Sequence, residues 1–327
     1  MNLIQAYHHI REGREKRPSL FARRRNDKLA GRLFFVFSVI PVALALLILG
    51  LLVYKAWPLL KTHSLWQLLF GQVWKPDEGL FGFWPFIAGT FWVTLAALVL
   101  AVPPSLLTAI FLSEYASRAL RTFMKPLLDL LAAIPSVVYG VWGAIAIVPL
   151  IQNALIPFIN RHFGKLPFIS SQNPTGYGIL AGAIVLAIMI VPFIIAVLYE
   201  ILENVPRGLK EASLAVGSTR LQTVRWAILP GVLPGLVAGV VLGASRALGE
   251  TMAVMMVVGN VIQVPHSILD AAYPLPALIA NNYGDMMSIP LYESALMTAA
   301  LILLIIIVLF NVASALVLQR VLGRRWV

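Results

Sequence analysis

Six long stretches of apolar residues, separated by charged segments, constrain the fold of this chain more than any other feature of its sequence. An α-helix needs about 20 consecutive apolar residues to cross the hydrocarbon core of a bilayer. The chain has 327 residues and is only 12% charged, whereas soluble domains average about 25%. The sequence therefore predicts an all-α polytopic membrane protein with six transmembrane helices. They are expected at Leu33–Tyr54, Phe86–Phe111, Pro126–Ile151, Gly178–Tyr199, Gly231–Val261 and Ala295–Leu318.

Basic residues are unevenly distributed among the segments outside these stretches. The N-terminal tail, the second-to-third loop, the fourth-to-fifth loop and the C-terminal tail hold nine, three, four and three of the 25 lysines and arginines. Because cytoplasmic loops are enriched in Lys and Arg, both termini are expected to face the cytoplasm. Residues 1–32 then form a basic cytoplasmic tail and residues 33–327 the transmembrane domain. The net charge of +11 fits a tail that faces lipid headgroups, and no nucleic-acid partner is expected.

Several classes of function have little support in the sequence. The chain contains no cysteine, and its five histidines lack metal-ligand spacing, so neither a thiolate nucleophile nor a metal site is expected. No nucleophile–base arrangement or carboxylate pair favours an enzyme acting within the membrane. Residues 1–32 lack the apolar core and cleavage site of a signal peptide, so the first apolar stretch is expected to stay in the protein as a helix.

Two charged residues, Arg246 and Glu250, lie inside the fifth apolar stretch. An ionisable residue at the bilayer centre costs roughly 2.5–3.5 kcal/mol on insertion scales. A helical pair four residues apart returns only about 0.2–0.5 kcal/mol. On one continuous helix both side chains share a face, so we expect them to line or gate an ion or substrate pathway. Asp129, near the start of the third stretch, is a further pathway candidate, although pairing with Lys125 one turn earlier explains it equally well.

Small residues recur at every fourth position before this charged pair. This spacing lets a neighbouring helix approach closely. We therefore expect a helix-packing ridge that turns Arg246 and Glu250 towards protein or a narrow path, and away from lipid. The ridge consists of Gly231, Gly235, Gly239 and Gly243.

The segment between the fourth and fifth stretches, residues 203–230, is predicted to form two amphipathic helices. Leu209, Ser213 and Val216 share one helical face before Gly217 breaks the pattern, and a second amphipathic stretch begins at Leu221. Such a helix–turn–helix outside the membrane can serve as a lever for another protein. An amphipathic pair lying in the membrane interface is the alternative.

This segment resembles the EAA loop of ABC importer permeases, whose pattern is E-A-A, three residues, G, nine residues, I, any residue and L-P. Ser213 replaces the third Ala of that pattern and Ala227 the usual Ile. The resemblance implies a coupling helix around Lys210–Ser218 that docks into a cleft on a separate ATPase subunit. The positions in register are Glu211, Gly217, Leu229 and Pro230, and Ala212 is expected to belong to the same coupling contact.

The sequence has no G-x-x-x-x-G-K-[ST] phosphate-binding loop. We therefore expect a non-catalytic subunit without a cofactor of its own, with ATP and Mg²⁺ bound by a partner ATPase.

The segment RALGETMAV, which begins at Arg246, is similar to the corresponding segment of PstC-type permeases of phosphate-specific ABC importers. Leu131–Gly140, Ile188–Pro192 and Phe81–Thr90 agree with the same family, and the resemblance runs from about Leu33 to the C-terminus. It implies the type I ABC importer permease fold, phosphate as substrate and a transport role for Arg246, Glu250 and Thr251.

The same resemblance implies a set of partners and a location. These are a second permease subunit that completes a heterodimeric pore, a cytoplasmic ATPase dimer and an external phosphate-binding protein. The chain itself is expected to be a multi-pass protein of the bacterial inner membrane.

Other interpretations stay open from the sequence. Sulfate and molybdate permeases show a similar R-x-x-G-E segment, so another oxyanion is an alternative substrate. An ion-coupled secondary transporter would use the charged pair as a proton relay and would need no ATPase. The Trp-rich loop Lys55–Pro85 fits either an aromatic belt at the membrane interface or a docking surface for an external partner. The short apolar run Leu275–Ala280 is predicted to be a re-entrant or surface helix.

Overall fold

The protein is described from a computed structural model, which covers residues 20–163, 173–284 and 290–323. The chain divides into two compact units, Met1–Tyr54 and Lys55–Val327. The first unit is described from Leu20 onwards. These residues form helix α1 (Leu20–Thr62), whose last residues belong to the second unit. Six helical spans in the described residues are long and apolar enough to cross a membrane, which confirms the predicted number. They are Ala30–Thr62, Trp84–Tyr115, Ser136–Ile159, Ile179–Glu203, Arg220–Leu248 and Leu291–Gln319.

The described part of the second unit is mostly helical and contains one short hairpin, in which strand β1 (Trp74–Lys75) pairs antiparallel with strand β2 (Leu80–Phe81). Turns of π-helix extend or join several helices, at Phe111–Tyr115, Gly143–Ile147, Ile151–Leu155 and Thr223–Ile228. The α-helices that follow α1 are α2 (Leu65–Phe70), α3 (Trp84–Ile110), α4 (Arg118–Ala133), α5 (Ser136–Trp142), α6 (Val148–Leu150), α7 (Ile156–Phe163), α8 (Ile179–Glu203), α9 (Arg207–Ala215), α10 (Arg220–Gln222), α11 (Leu229–Leu248), α12 (Met252–Met255), α13 (Leu275–Asn282) and α14 (Pro290–Gly323).

The predicted third transmembrane helix, Pro126–Ile151, is wrong at both ends, because the span begins at Ser136 and runs to Ile159. Ile134 has an extended backbone, with φ −61° and ψ 128°. A proline ring clashes with a helical conformation of the residue before it, so Pro135 separates α4 from α5. The residues before the break form an amphipathic helix of their own.

The predicted fifth transmembrane helix, Gly231–Val261, is also displaced. Its apolar span is Arg220–Leu248, so it begins earlier and ends earlier than predicted. Gly249 follows the last helical residue, and the short helix α12 begins only after a further break. Farther along the chain, Gly259 has a positive φ of 93° and forms an isolated bridge with Ala272. The charged pair therefore lies at a helix end.

Helix α8 lies at the centre of the hydrophobic core. Within the most apolar 18 residues of its span, 67% are buried, compared with 28% for the span that contains α3. Leu186, Ile190 and Ile194 are fully buried. The α3 residues in the same cluster include Ala97 and Ala101, whose small side chains allow a close approach between helices.

A second, aromatic cluster lies where the hairpin meets α3 and α14. Trp74 packs against Phe86 at 5.0 Å and against Tyr292 at 6.1 Å between ring centroids. It is therefore a core residue, whereas Trp66 on α2 is 70% exposed. Helix α13 packs into this cluster through Leu275, so of the two predicted positions the surface helix is wrong, and the re-entrant helix stays a prediction.

Candidate substrate path and coupling segment

Arg246 lies in the last turn of α11, two residues before the helix ends. Its side chain is exposed, and its Cζ atom is 5.0 Å from the centroid of the Phe193 ring. Within residues 20–163, 173–284 and 290–323, no carboxylate lies within 4.0 Å of the guanidinium. The guanidinium stacks on an aromatic ring of α8 and keeps its donors available.

Glu250 does not share a helical face with Arg246, so the predicted arrangement of the pair on one continuous helix is wrong. The Oε1 atom of Glu250 accepts a hydrogen bond of 3.2 Å from the backbone nitrogen of Ala253. This bond closes the turn that starts α12. Thr251 donates from its hydroxyl to the carbonyl of Gly249 at 3.2 Å. Both side chains thus stabilise the break between α11 and α12.

Two aromatic residues near Arg246, Phe193 and Tyr139, were missed as candidate site residues. Tyr139 interacts electrostatically with Arg246, and its hydroxyl donates to the carbonyl of Leu131 at 2.9 Å across the break between α4 and α5. Their only signal in the sequence is proximity to prolines, Pro192 and Pro135. That signal indicates a helix irregularity but not a position beside a guanidinium.

Asp129 is exposed on α4 and does not pair with Lys125, contrary to the alternative raised from the sequence. Lys125 Nζ instead bonds Glu203 Oε2 at 3.0 Å and lies 4.9 Å from the centroid of the Tyr199 ring. The hydrogen bond to Glu203 raises the pKa of the Lys125 ammonium above its usual value. These residues line a polar pocket of about 260 Å³ between α4 and the end of α8.

The candidate coupling segment, residues 203–230, contains α9, a tight turn and a return helix, which consists of α10 and the π-helical turn Thr223–Ile228 and leads into α11. Gly217 has a φ of 88°, a left-handed conformation that favours glycine, and no atom would lie within 4 Å of a Cβ added there. Thr219 begins the return helix with a reciprocal capping box to Gln222. Pro230 is in the first turn of α11, where its missing amide hydrogen is tolerated, and Leu229 beside it packs against the core.

Neighbouring residues of α9 point in opposite directions. Glu211 and Ala212 are exposed. Lys210 turns inward, and its Nζ atom bonds Glu114 Oε1 at 2.6 Å. Ser213 is hydrogen-bonded to Thr223 at 3.0 Å, which ties α9 to the return helix. Thus Glu211 and Ala212 are free to meet a partner, while Lys210 and Ser213 hold α9 against the rest of the chain.

The glycines of α11 differ in their surroundings. A Cβ atom added at Gly243 would lie 2.6 Å from Cγ1 of Ile194, and one added at Gly239 would lie 2.8 Å from Cδ2 of Leu198. At Gly235 the nearest atom belongs to Ile201, at 2.9 Å. These three positions face α8 closely. At Gly231 nothing described lies within 4 Å.

Six apolar spans, an exposed helix–turn–helix segment between the fourth and fifth spans, and an available guanidinium at a helix end are typical of a helical membrane transport component. A sequence model described as "Binding-protein-dependent transport system inner membrane component" matches residues 105–326, and the chain belongs to this family. It is a multi-pass inner-membrane protein.

The chain is similar to several curated permeases. It is 37% identical to the phosphate transport system permease protein PstC of Xylella fastidiosa over 257 residues, which is 78% of this chain and 79% of that protein. It is 37% identical to PstC of Pasteurella multocida, over 87% of this chain and 89% of that protein. A probable PstC of Methanocaldococcus jannaschii is 31% identical, over 85% and 89% of the two chains.

A solved structure supports the fold. The inward-facing MetNI methionine ABC transporter contains a chain that superimposes with a TM-score of 0.50 at 24% identity, over 76% of this chain and 99% of that one. The chain therefore has the fold of type I ABC importer permeases.

Proposed function

We propose that this chain is the transmembrane permease subunit of an ATP-driven phosphate importer. It forms half of the pore with a second permease subunit, receives phosphate from an external binding protein, and is driven by a cytoplasmic ATPase dimer that binds ATP and Mg²⁺. The observation that carries the proposal is the Arg246 guanidinium, which lacks a carboxylate partner in the described structure, in a chain whose similar relatives bear the name of phosphate permeases.

The chemistry of this position suits an oxyanion. A guanidinium presents a planar fork of donors that matches two oxygens of a phosphate group. The ring of Phe193 lies 5.0 Å from the guanidinium carbon and uses none of its donors. One carboxylate oxygen of Glu250 accepts a hydrogen bond from the backbone nitrogen of Ala253. The second oxygen is available to accept a hydrogen bond from the proton of hydrogen phosphate. Sulfate at neutral pH has no such proton, so Glu250 is proposed to favour phosphate.

The coupling segment supplies the link to ATP hydrolysis. The resemblance to the EAA loop assigns the exposed residues Glu211 and Ala212 to the contact with the ATPase, and Gly217 to the turn that presents them. Movement of α9 would pass through the return helix to α11, whose last turn carries Arg246. The helical span Arg220–Leu248 thus begins just after the turn that presents the ATPase contact, and it carries Arg246 in its last turn.

Uptake of labelled phosphate in cells that lack this chain tests the proposal. Wild type is expected to restore uptake, and Arg246→Gln to abolish it. Arg246→Lys should retain only a small fraction of wild-type phosphate uptake, because an ammonium group lacks the bidentate fork of donors that a guanidinium has. Arg161→Gln, an exposed arginine at the end of α7, is the matched control and should transport as wild type does.

Parallel measurements distinguish the alternatives. Restoration of sulfate or molybdate uptake alone would keep the ATP-driven permease and replace the substrate. Phosphate uptake that survives both ATP depletion and Gly217→Asp would contradict ATP coupling and support an ion-coupled transporter. Normal phosphate uptake by Arg246→Gln would remove this residue from the path.

A further inference from the structure

The coupling helix α9 has few attachments to the rest of the molecule. None of its residues, Arg207–Ala215, is buried. In the described structure its side chains make two hydrogen-bonded links to other elements, Lys210 to Glu114 and Ser213 to Thr223. The second link stays within the coupling segment itself. The Lys210–Glu114 bond is therefore the one of the two that joins α9 to a transmembrane helix.

The Lys210–Glu114 ion pair is short and largely screened from solvent. Nζ and Oε1 are 2.6 Å apart, and the side chains are only 24% and 12% exposed. Ser113 also donates its hydroxyl to Glu114 Oε1, at 2.7 Å. A carboxylate that accepts two such bonds holds the ammonium in one place, and removal of either charge leaves the other uncompensated in a poorly hydrated site.

Glu114 belongs to the π-helical end of the second span, Phe111–Tyr115. Chain continuity already connects α9 to α8 on one side and, through the return helix, to α11 on the other. It provides no direct connection to the second span, whose Glu114 lies 96 residues away in sequence from Lys210. Among the described residues, the ion pair is the one hydrogen-bonded link between α9 and the second span.

We propose that Lys210 and Glu114 transmit the displacement of α9 to the second transmembrane helix during the transport cycle. The inference rests on the proposed function, because it takes an ATPase as the source of the displacement. Both are positioning residues that touch neither substrate nor nucleotide. Their effect is to make the cytoplasmic end of the second span move together with α9.

The test uses the complete complex of both permeases and the ATPase, reconstituted in proteoliposomes. Lys210→Gln and Glu114→Gln are each expected to lower labelled-phosphate uptake about tenfold while ATP hydrolysis stays at the wild-type rate. Charge reversals Lys210→Glu and Glu114→Lys should uncouple in the same way, and the double exchange should restore uptake. Arg118→Gln, an exposed cation close to Glu114 in sequence, is the matched control and should transport as wild type does.

A conformational readout separates this inference from the substrate assignment. Because the chain has no cysteine, Leu95→Cys gives a single site on the exposed face of α3 for a nitroxide label. With Lys210 and Glu114 intact, the electron paramagnetic resonance spectrum of the label should change when ATP binds. This change should be absent in Glu114→Gln and present again in the double exchange.

The outcomes differ for the two claims. A nucleotide-dependent change in wild type without phosphate uptake would overturn the substrate and leave the link intact. Phosphate uptake with a change that persists in both single variants would overturn the link and leave the substrate intact. Failure of the double exchange to restore either signal, in a complex that assembles, would also overturn the link.

Discussion

Arg246 and Glu250 illustrate how the end of a helix determines the bonds that a side chain can make. Because α11 ends at Leu248, Glu250 bonds Ala253 at 3.2 Å instead of stacking one turn below Arg246. The guanidinium keeps its donors and the carboxylate keeps one oxygen. The two groups can thus serve as separate donor and acceptor for one substrate, which a mutual ion pair would prevent.

Glu250→Gln tests this division of roles. The amide oxygen can still accept the bond from Ala253, so the break is expected to keep its structure. The amide group of Gln can donate to an unprotonated oxygen, which a carboxylate cannot do. We therefore expect weaker discrimination between labelled phosphate and sulfate in competition assays of uptake. Unchanged discrimination would contradict the assignment of Glu250 as the acceptor for the phosphate proton.

Gly243→Ala and Gly231→Ala form a matched pair on the same helix. At Gly243 the added Cβ would lie 2.6 Å from Ile194, so a core side chain must shift. The expected loss of stability is about 1–3 kcal/mol. At Gly231 the space is open, and Ala gains up to about 1 kcal/mol of helix propensity. In thermal unfolding measurements in detergent, we expect a midpoint below that of wild type for Gly243→Ala but not for Gly231→Ala. Equal midpoints for the two variants would argue against a close α8–α11 contact.

At the scale of elements, the turn between α9 and α10 determines how the coupling segment projects. Its geometry depends on Gly217, whose φ of 88° is accessible to glycine without strain. The open space around Gly217 means that, within this chain, a side chain would be disfavoured by backbone conformation and not by crowding. A docked partner would add crowding as a second reason.

A series at Gly217 separates these two reasons. A left-handed conformation costs a residue with a Cβ atom roughly 1–2 kcal/mol, and Asn adopts it more readily than Ala or Val. If conformation dominates, phosphate uptake should fall in the order Gly, Asn, Ala, Val. If Asn, which is larger than Ala, loses more uptake than Ala does, steric exclusion from the ATPase surface would be the better explanation.

The same elements mark where sequence reasoning succeeds and fails. Apolar run length found all six spans, because burial of backbone groups in lipid requires complete helices. The break at Pro135 was present in the sequence as a proline whose preceding residue is biased away from helix. The break after Leu248 had only Gly249 as its signal. The partners of Lys125 and Lys210 depend on packing between distant elements, and no local pattern indicates Glu203 or Glu114.

At the scale of the whole molecule, the connectivity of the spans places the hairpin and the coupling segment on opposite sides of the membrane. Three spans separate β1 and β2 from α9, so a chain that crosses the bilayer with each span exposes these two elements to different compartments. The distribution of basic residues then predicts which compartment each one faces. Nineteen basic residues on the side of the coupling segment favour the cytoplasm for that side.

Single cysteines introduced into this cysteine-free chain test that orientation directly. Asp77→Cys lies on the exposed hairpin turn and Val216→Cys beside the turn of the coupling segment, where Val216 is 83% exposed. A membrane-impermeant maleimide added at the external face of the inner membrane is expected to label Asp77→Cys. The same reagent is expected to label Val216→Cys only after the membrane has been permeabilised. Leu186→Cys, fully buried on α8, should stay unlabelled in both conditions. The reverse pattern would place the coupling segment outside, away from any cytoplasmic ATPase, and would therefore contradict ATP coupling together with the orientation.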